Sequence, residues 1–263
     1  MRTTLSTLHK MAREGRKIAA LTCYDASFAK ILEAAGVDIL LVGDSLGMVL
    51  QGHESTLPVT LEQMLYHVES VVRGSTQAFI VADMPFGSYQ DDPRAAFRNA
   101  SQLLRAGAHM VKLEGGRVMV ETTRFLVDRG IPVFGHLGLT PQAVHQLGGY
   151  HVQGKQENDA KQLQIDALDL CAAGAGLLLL ECIPASLARA VTAAIPRPTI
   201  GIGAGPDCSG QVLVLYDILG IYSGKTPKFA KNFLVDGADI QHAVAQYVKD
   251  VKAQKFPGAE HIF

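Results

Sequence analysis

The sequence predicts an α/β protein built as a (β/α)8 barrel, and three observations carry that prediction. Eight short apolar runs recur along the 263 residues. Most are near-continuous rather than alternating, as strands buried on both faces of a parallel sheet must be. Ala-rich amphipathic stretches with helical spacing lie between them, so strand and helix alternate throughout. Three times, an Ala-Gly pair is followed by a short turn, an apolar run and one carboxylate, which marks a repeated unit. About eight strands favour closure into a barrel, with a doubly wound open sheet as the alternative. Single α/β barrels run to about 250 residues, so residues 1–263 are expected to form one domain.

From the amino end, the apolar run at 18–23 precedes a helical stretch at 27–35 that ends on Ala35-Gly36. Strand 39–42 follows and finishes at Asp44. A helix at 61–72 leads to strand 79–82 and Asp83. A helix at 94–105 ends on Ala106-Gly107 and leads to strand 109–113 and Glu114. The helical stretch 118–128 precedes strand 132–135 and His136, and helix 160–172, closed by Ala173-Gly174, precedes strand 177–180 and Glu181. A helix at 185–194, strand 199–202 and a weaker run at 212–216 complete the eight, and 240–252 reads as a closing helix. Glycine after a helix is what a tight αβ turn requires. Two Gly-rich loops, 43–60 and 137–158, exceed the two to six residues usual for a βα connection; they read as lids, subunit contacts or both.

Composition narrows the function classes. Hydrophobic residues make up 48%, which excludes a disordered chain. With 24 basic against 25 acidic side chains, nothing draws the protein in bulk to nucleic acid or an acidic membrane. The basic start lacks the apolar core of a secretory signal, and no apolar run approaches a membrane span, so a soluble cytoplasmic protein is expected. The four cysteines form no C-x-x-C pair and read as reduced core residues.

Asp44, Asp83, Glu114 and Glu181 each end an apolar strand, and in a barrel those ends meet on the rim where active sites are built. A single such acid is as readily a cap for the next helix. Four together repel one another unless a cation or a bound proton relieves them. Mg²⁺ suits them, because it takes hard oxygen ligands and uses only one or two carboxylates directly. His145 and His151 lack zinc-ligand spacing. Lys112 and Glu114, two apart on one strand, face the same side. Lys112 reads as a structural ion pair, an anion-binding cation or a Schiff-base lysine; the adjacent acid keeps it protonated and favours anion binding over imine formation. Glu181 follows four leucines, so desolvation is expected to raise its pKa and suit it to be a general base. Gly201-Ile-Gly-Ala-Gly205 is either a rim turn or a phosphate-type cradle, and it is not a dinucleotide fingerprint. His136 lies on the same rim, as a hydrogen-bond donor to substrate or a structural residue.

Several segments carry a family resemblance: Thr22-Cys-Tyr-Asp25, Val42-Gly-Asp-Ser-Leu-Gly-Met48, Gln51-Gly-His-Glu-Ser-Thr-Leu-Pro-Val-Thr60, Ala82-Asp-Met-Pro-Phe86, Val111-Lys-Leu-Glu-Gly-Gly116, Gly135-His-Leu-Gly-Leu-Thr-Pro141, Leu180-Glu-Cys-Ile-Pro184 and Pro227-Lys-Phe-Ala-Lys231. Spread in order over nearly the whole chain, they resemble the ketopantoate hydroxymethyltransferase family. The resemblance implies a TIM barrel of the phosphoenolpyruvate/pyruvate-binding type. It also implies transfer of a hydroxymethyl group from 5,10-methylenetetrahydrofolate to 3-methyl-2-oxobutanoate, giving 2-dehydropantoate for pantothenate synthesis. By motif, Asp44, Asp83 and Glu114 would hold Mg²⁺, directly or through water. Asp44, Ser45, Asp83 and Lys112 would contact the keto acid, and Glu181 would be the base. A homo-oligomer is implied, with a decamer favoured. Two positions depart from the family pattern, which has an acidic residue where Ser209 stands and a histidine where Tyr216 stands; they touch folate-side contacts or local packing. A Mg²⁺-dependent lyase or mutase of the same barrel type would carry a catalytic cysteine in a short polar loop, which is not found. A non-catalytic barrel would lack Glu181 or a metal carboxylate, and all four acids are present.

Overall fold

The structure, a computed structural model, describes residues 2–221, 226–235 and 239–263. Eight parallel strands close into a barrel in sequence order: β1 (Ile18–Thr22), β2 (Ile39–Val42), β3 (Phe79–Asp83), β4 (Met110–Glu114), β5 (Val133–Gly138), β6 (Leu177–Glu181), β7 (Thr199–Ile202) and β8 (Gly210–Leu213). Strand β8 pairs back to β1, with Ile18 opposite Gly210 and Leu21 opposite Leu213. Every strand residue is buried except Gly138 and Glu181, which are half-buried at the carboxyl rim. Continuous burial explains why the strands read as apolar runs without alternation.

The helices, in chain order, are α1 (Leu5–Arg13), α2 (Ala26–Ala34), α3 (Leu46–Val49), α4 (Leu61–Gly74), α5 (Pro93–Arg105), α6 (Val120–Val127), α7 (Val144–Leu147), α8 (Glu157–Ala172), α9 (Ala185–Ala194), α10 (Leu215–Ile218) and α11 (Ile240–Lys252). Gly36, Gly107 and Gly174, which follow α2, α5 and α8, all have positive φ (87°, 107° and 101°), as the repeated Ala-Gly turn requires. A Cβ on Gly107 or Gly174 would also stand 2.8 Å from Val72 or 2.7 Å from Val127. Those glycines therefore set helix packing as well as turn geometry.

Three features differ from the expected layout. First, α1 has no counterpart in the predicted elements. Thr4 caps it by accepting from Thr7 N–H (3.2 Å), and Leu8 and Met11 are its buried face. It crosses the amino ends of the strands, where His9 Nε2 meets the Gly176 carbonyl (2.8 Å). Second, no helix separates β7 from β8. Third, β8 lies two residues earlier than the run 212–216, whose apolar tail turns at Val214 and enters α10. Gly210 and Gln211, which look unlike a strand, belong to it. A Cβ at Gly210 would overlap the Ile18 carbonyl of β1, and buried Gln211 donates from Nε2 to the Gly205 carbonyl (2.9 Å). The closing helix, α11, covers this seam, with the Tyr247 hydroxyl donating to the Ala20 carbonyl (2.9 Å).

Candidate active site

Strand register brings the predicted residues together. Asp83 pairs with Lys112 across β3 and β4, Glu114 with His136 across β4 and β5, and Gly138 with Glu181 across β5 and β6. Lys112 and Glu114 share one face, as do His136 and Gly138, because strand side chains alternate with period two. The register thus lays Asp83, Lys112, Glu114, His136 and Glu181 in one file climbing around the inner rim. Asp44 joins it from the turn after β2, donating its N–H to Asp83 Oδ2 (3.0 Å). Gly43 leaves room for the neighbouring Ser45 hydroxyl, since a Cβ there would stand 2.9 Å from its Oγ. All seven predicted residues line one cavity of about 640 Å³.

The file is nearly dry and densely charged. Lys112 Nζ stands 2.8 Å from Asp83 Oδ1 and 3.7 Å from Glu114 Oε1, with each of the three side chains at most 4% exposed. His136 Nδ1 is 3.5 Å from Glu114 Oε1, and its Nε2 is 3.1 Å from Glu181 Oε2. Both ring nitrogens face carboxylates, so His136 bridges two of the acids rather than standing free to meet a ligand. Glu181 is 13% exposed on its side chain with that imidazole beside it, so it is not the isolated carboxylate among leucines that its preceding run suggests. Ser45 Oγ shares a hydrogen bond with the Tyr24 hydroxyl (2.9 Å).

Burial and the Asp83 carboxylate push the Asp44 carboxyl well above the usual carboxylate range, against the opposing pull of Lys112. Burial alone would lower Lys112, but Asp83, Glu114 and Asp44 lift it above the ordinary lysine value and fix an ammonium. An ammonium held this way is an anion partner and a poor imine former. Burial would likewise raise Glu114, yet His136 and Lys112 hold it below its ordinary value. His136, which burial would lower, is raised to about 9 by Glu114 and Glu181.

Gln142 is the residue that sequence reasoning missed. It lies in the loop after β5, and its backbone N–H donates to Glu114 Oε2 (2.9 Å). Its side-chain Nε2 donates to Asp44 Oδ2 (2.8 Å) and the Met84 carbonyl (2.9 Å). Its Oε1 accepts from the Tyr89 hydroxyl (2.6 Å) and Gln90 Nε2 (3.0 Å). Tyr89, also missed, accepts in turn from the Glu114 N–H (3.0 Å). One residue, through its side-chain amide and its backbone N–H, therefore joins two of the acids without adding charge.

Other expectations resolve by position. The glycines of Gly201–Gly205 face protein atoms: a Cβ at 201, 203 or 205 would stand 2.9, 2.9 or 2.6 Å from Cys208, Phe229 or Ala185. The segment is a packed rim turn. Ser209 exchanges hydrogen bonds with Thr199 at the amino end of β8, away from the cavity, so its departure belongs to local packing. Tyr216 stacks at a tilt on Tyr24, with ring centres 5.9 Å apart. All four cysteines are unpaired and buried. Among the described residues, no helix is long and apolar enough to cross a membrane.

Among the described residues, no group of three or more His, Cys, Asp or Glu side chains is arranged to enclose a metal. Mg²⁺ asks for less, since one or two carboxylates and its own waters suffice. Asp83 Oδ1 and Glu114 Oε1 are buried, and their partners are the charged groups of Lys112 and His136 rather than neutral hydrogen-bond donors. Four carboxylates around one ammonium and one imidazolium leave negative charge in excess. That excess of charge and the hard carboxylate oxygens of Asp44 and Asp83 fit a divalent cation.

Residues 2–259 match the model of the ketopantoate hydroxymethyltransferase family. The chain is 63% identical to the 3-methyl-2-oxobutanoate hydroxymethyltransferase of Aromatoleum aromaticum, covering 99% of this chain and 96% of that protein. It is 62% identical to the Thiobacillus denitrificans protein of the same name over the full length of both. Among solved structures it resembles phosphonopyruvate hydrolase (TM-score 0.63, 13% identity, 84% of each chain). It also resembles 2,3-dimethylmalate lyase of the PEP mutase/isocitrate lyase superfamily (TM-score 0.60, 19% identity, 84% of this chain and 83% of that one).

Proposed function

The chain belongs to the ketopantoate hydroxymethyltransferase family, and from that premise we propose that it moves the one-carbon unit of 5,10-methylenetetrahydrofolate onto C3 of 3-methyl-2-oxobutanoate. With one water consumed, the products are 2-dehydropantoate and tetrahydrofolate. The observation that supports the reading is the buried file from Asp83 to Glu181, in which the Lys112 ammonium and the Glu181 carboxylate share one inner wall of the cavity.

On this reading Lys112 receives the negative charge of the keto acid, and Ser45 donates from its hydroxyl to a substrate oxygen. Asp44 and Asp83, with Glu114 beside them, would hold Mg²⁺, and the ion would supply electrostatic stabilisation where negative charge develops on the keto acid. Glu181 Oε2 takes the C3 proton, and His136 Nε2, 3.1 Å away, keeps that carboxylate aimed. The electron pair left at C3 then forms the new carbon–carbon bond to the folate methylene carbon. The folate nitrogen that leaves keeps the pair from its broken bond and takes up a proton, and the consumed water then replaces the second carbon–nitrogen bond, leaving its oxygen on the transferred carbon and a proton on that nitrogen.

Proton removal precedes carbon transfer, so it can be observed without folate. In D2O with Mg²⁺ and 3-methyl-2-oxobutanoate, the folded protein should exchange the C3 proton, as followed by NMR. Glu181→Gln should slow exchange at least 10²-fold, and chelation of the metal should abolish it. Absence of exchange by the folded wild-type protein would overturn this mechanism.

A further inference from the structure

The acid file occupies β2 to β6, but the cavity extends to the opposite wall, where a different chemistry is found. Asp217 sits on α10, directly after β8, and lines the same cavity. It is only 8% exposed. Among the described residues its carboxyl has neither a hydrogen bond nor an ion-pair partner. Its backbone is fixed on both sides: its own N–H donates to the Val214 carbonyl (3.1 Å), and Thr22 Oγ1 accepts from the Leu215 N–H (2.9 Å). Apolar and aromatic side chains, among them Val214, Phe229 and Phe263, line the same cavity, the two phenylalanines beside Gly203 at the end of β7. Burial raises the Asp217 carboxyl to about 6, which still leaves it ionised at neutral pH.

A buried, unpaired carboxylate is costly, and an enclosed one in a ligand cavity is relieved by a ligand that donates hydrogen bonds. The proposed reactants differ sharply in what they offer. The keto acid carries an anionic carboxylate and a ketone, both acceptors, which Asp217 would repel. The folate's glutamate end is anionic as well. Its 2-amino-4-oxopyrimidine edge, in contrast, presents two adjacent N–H donors in one plane, matched to the two oxygens of a carboxylate. The flat bicycle behind that edge suits walls of valine and phenylalanine.

We propose that Asp217 anchors the pterin ring of the folate donor, its carboxylate accepting the paired N–H groups at positions 2 and 3 of the ring. This rests on the hydroxymethyl-transfer reading above and adds the place where the donor binds. The pterin then lies against the β7–β8 side of the mouth and the keto acid against the β3–β6 side. The methylene group between them faces C3.

The test uses the isosteric variant Asp217→Asn in the full chain, with its melting temperature checked against wild type. Tetrahydrofolate affinity is measured by calorimetry, turnover by kinetics, and folate-free C3 exchange by NMR. Asp217→Asn should raise Kd for tetrahydrofolate and KM for its methylene form by on the order of 10²-fold. C3 exchange of the keto acid should stay within twofold. A tetrahydrofolate analogue with methyl in place of the 2-amino group should lose a similar factor on wild type and nothing further on Asp217→Asn. An unchanged folate affinity in Asp217→Asn would overturn the assignment, as would equal losses for the analogue on both proteins. Failure of the wild-type protein to exchange or transfer at all would instead remove the function on which the assignment rests.

Discussion

Gln142 does at the scale of one residue what no charged side chain could do between Asp44 and Glu114. Its amide donates to one acid while its backbone donates to the other, and its carbonyl oxygen ends the Tyr89–Gln90 chain. Gln142→Leu would leave the Tyr89 hydroxyl and Asp44 Oδ2 without their partners, at roughly 1–3 kcal/mol for each buried group. Second-layer residues of this type commonly affect a site by about 10–100-fold. Gln142→Leu should therefore lower kcat/KM by that factor and lower the melting temperature. Gln142→Glu should be worse for activity, because it sets a further carboxylate against Asp44. Activity within twofold of wild type in both variants would show that the network is incidental. The acids themselves were legible in the sequence because each ends an apolar run, and strand direction sends such residues to one rim. Gln142 and Tyr89 sit in loops without periodicity, and the acids they bond are 25 to 98 residues away in sequence. Only the closed barrel brings them near.

Elements were legible where burial is continuous and blurred where packing overrides composition. Seven strands fall within a few residues of their apolar runs, whereas β8 begins on Gly210-Gln211. There the glycine is selected by the Ile18 backbone and the glutamine by a buried carbonyl. Helix α1 escaped because its apolar positions are few, and its docking depends on strand ends that exist only after closure. A related device joins α2 to β3. Glu33 accepts from the N–H groups of Thr76 (2.9 Å), Gln77 (2.8 Å) and Ala78 (2.8 Å), and from the Ser75 hydroxyl. Partial burial would raise its pKa, but these donors hold it at about 2, below the ordinary 4.5. A depressed acid contributes stability that is fully present above its unfolded value and lost as pH falls through its folded value. The Glu33 contribution is thus intact above pH 4.5 and fades toward pH 2. Glu33→Ala should destabilise the fold by about 2 kcal/mol at neutral pH, and the difference from wild type should shrink through that acid window. A difference that stays constant in urea titrations from pH 6 to about pH 2 would count against this account.

The whole molecule divides its labour along the barrel axis. Strand interiors and the amino end, closed by α1, are apolar and satisfied, whereas the carboxyl end gathers four acids around one lysine and one imidazole. That gathering works against stability, because burial and Asp83 already push Asp44 toward taking up a proton. A site kept charged for function is expected to gain stability when the charge is removed. Asp44→Asn keeps an oxygen for the Gln142 amide and removes one negative charge from the file. Without ligands it should be more stable than wild type by about 1 kcal/mol, or roughly 2–4 °C in melting temperature for a chain of this size. The order should reverse when ligands are present. Mg²⁺ and 3-methyl-2-oxobutanoate at a hundredfold over Kd stabilise a binding-competent protein by about 2.7 kcal/mol. Wild type should show that rise and Asp44→Asn should not, and C3 exchange should vanish in the variant. Calorimetric melts of both proteins, with and without ligands, decide the matter. A variant that is less stable than wild type in the ligand-free state, yet still raised by Mg²⁺ and keto acid, would mean that Asp44 is a structural residue and that the cation binds elsewhere.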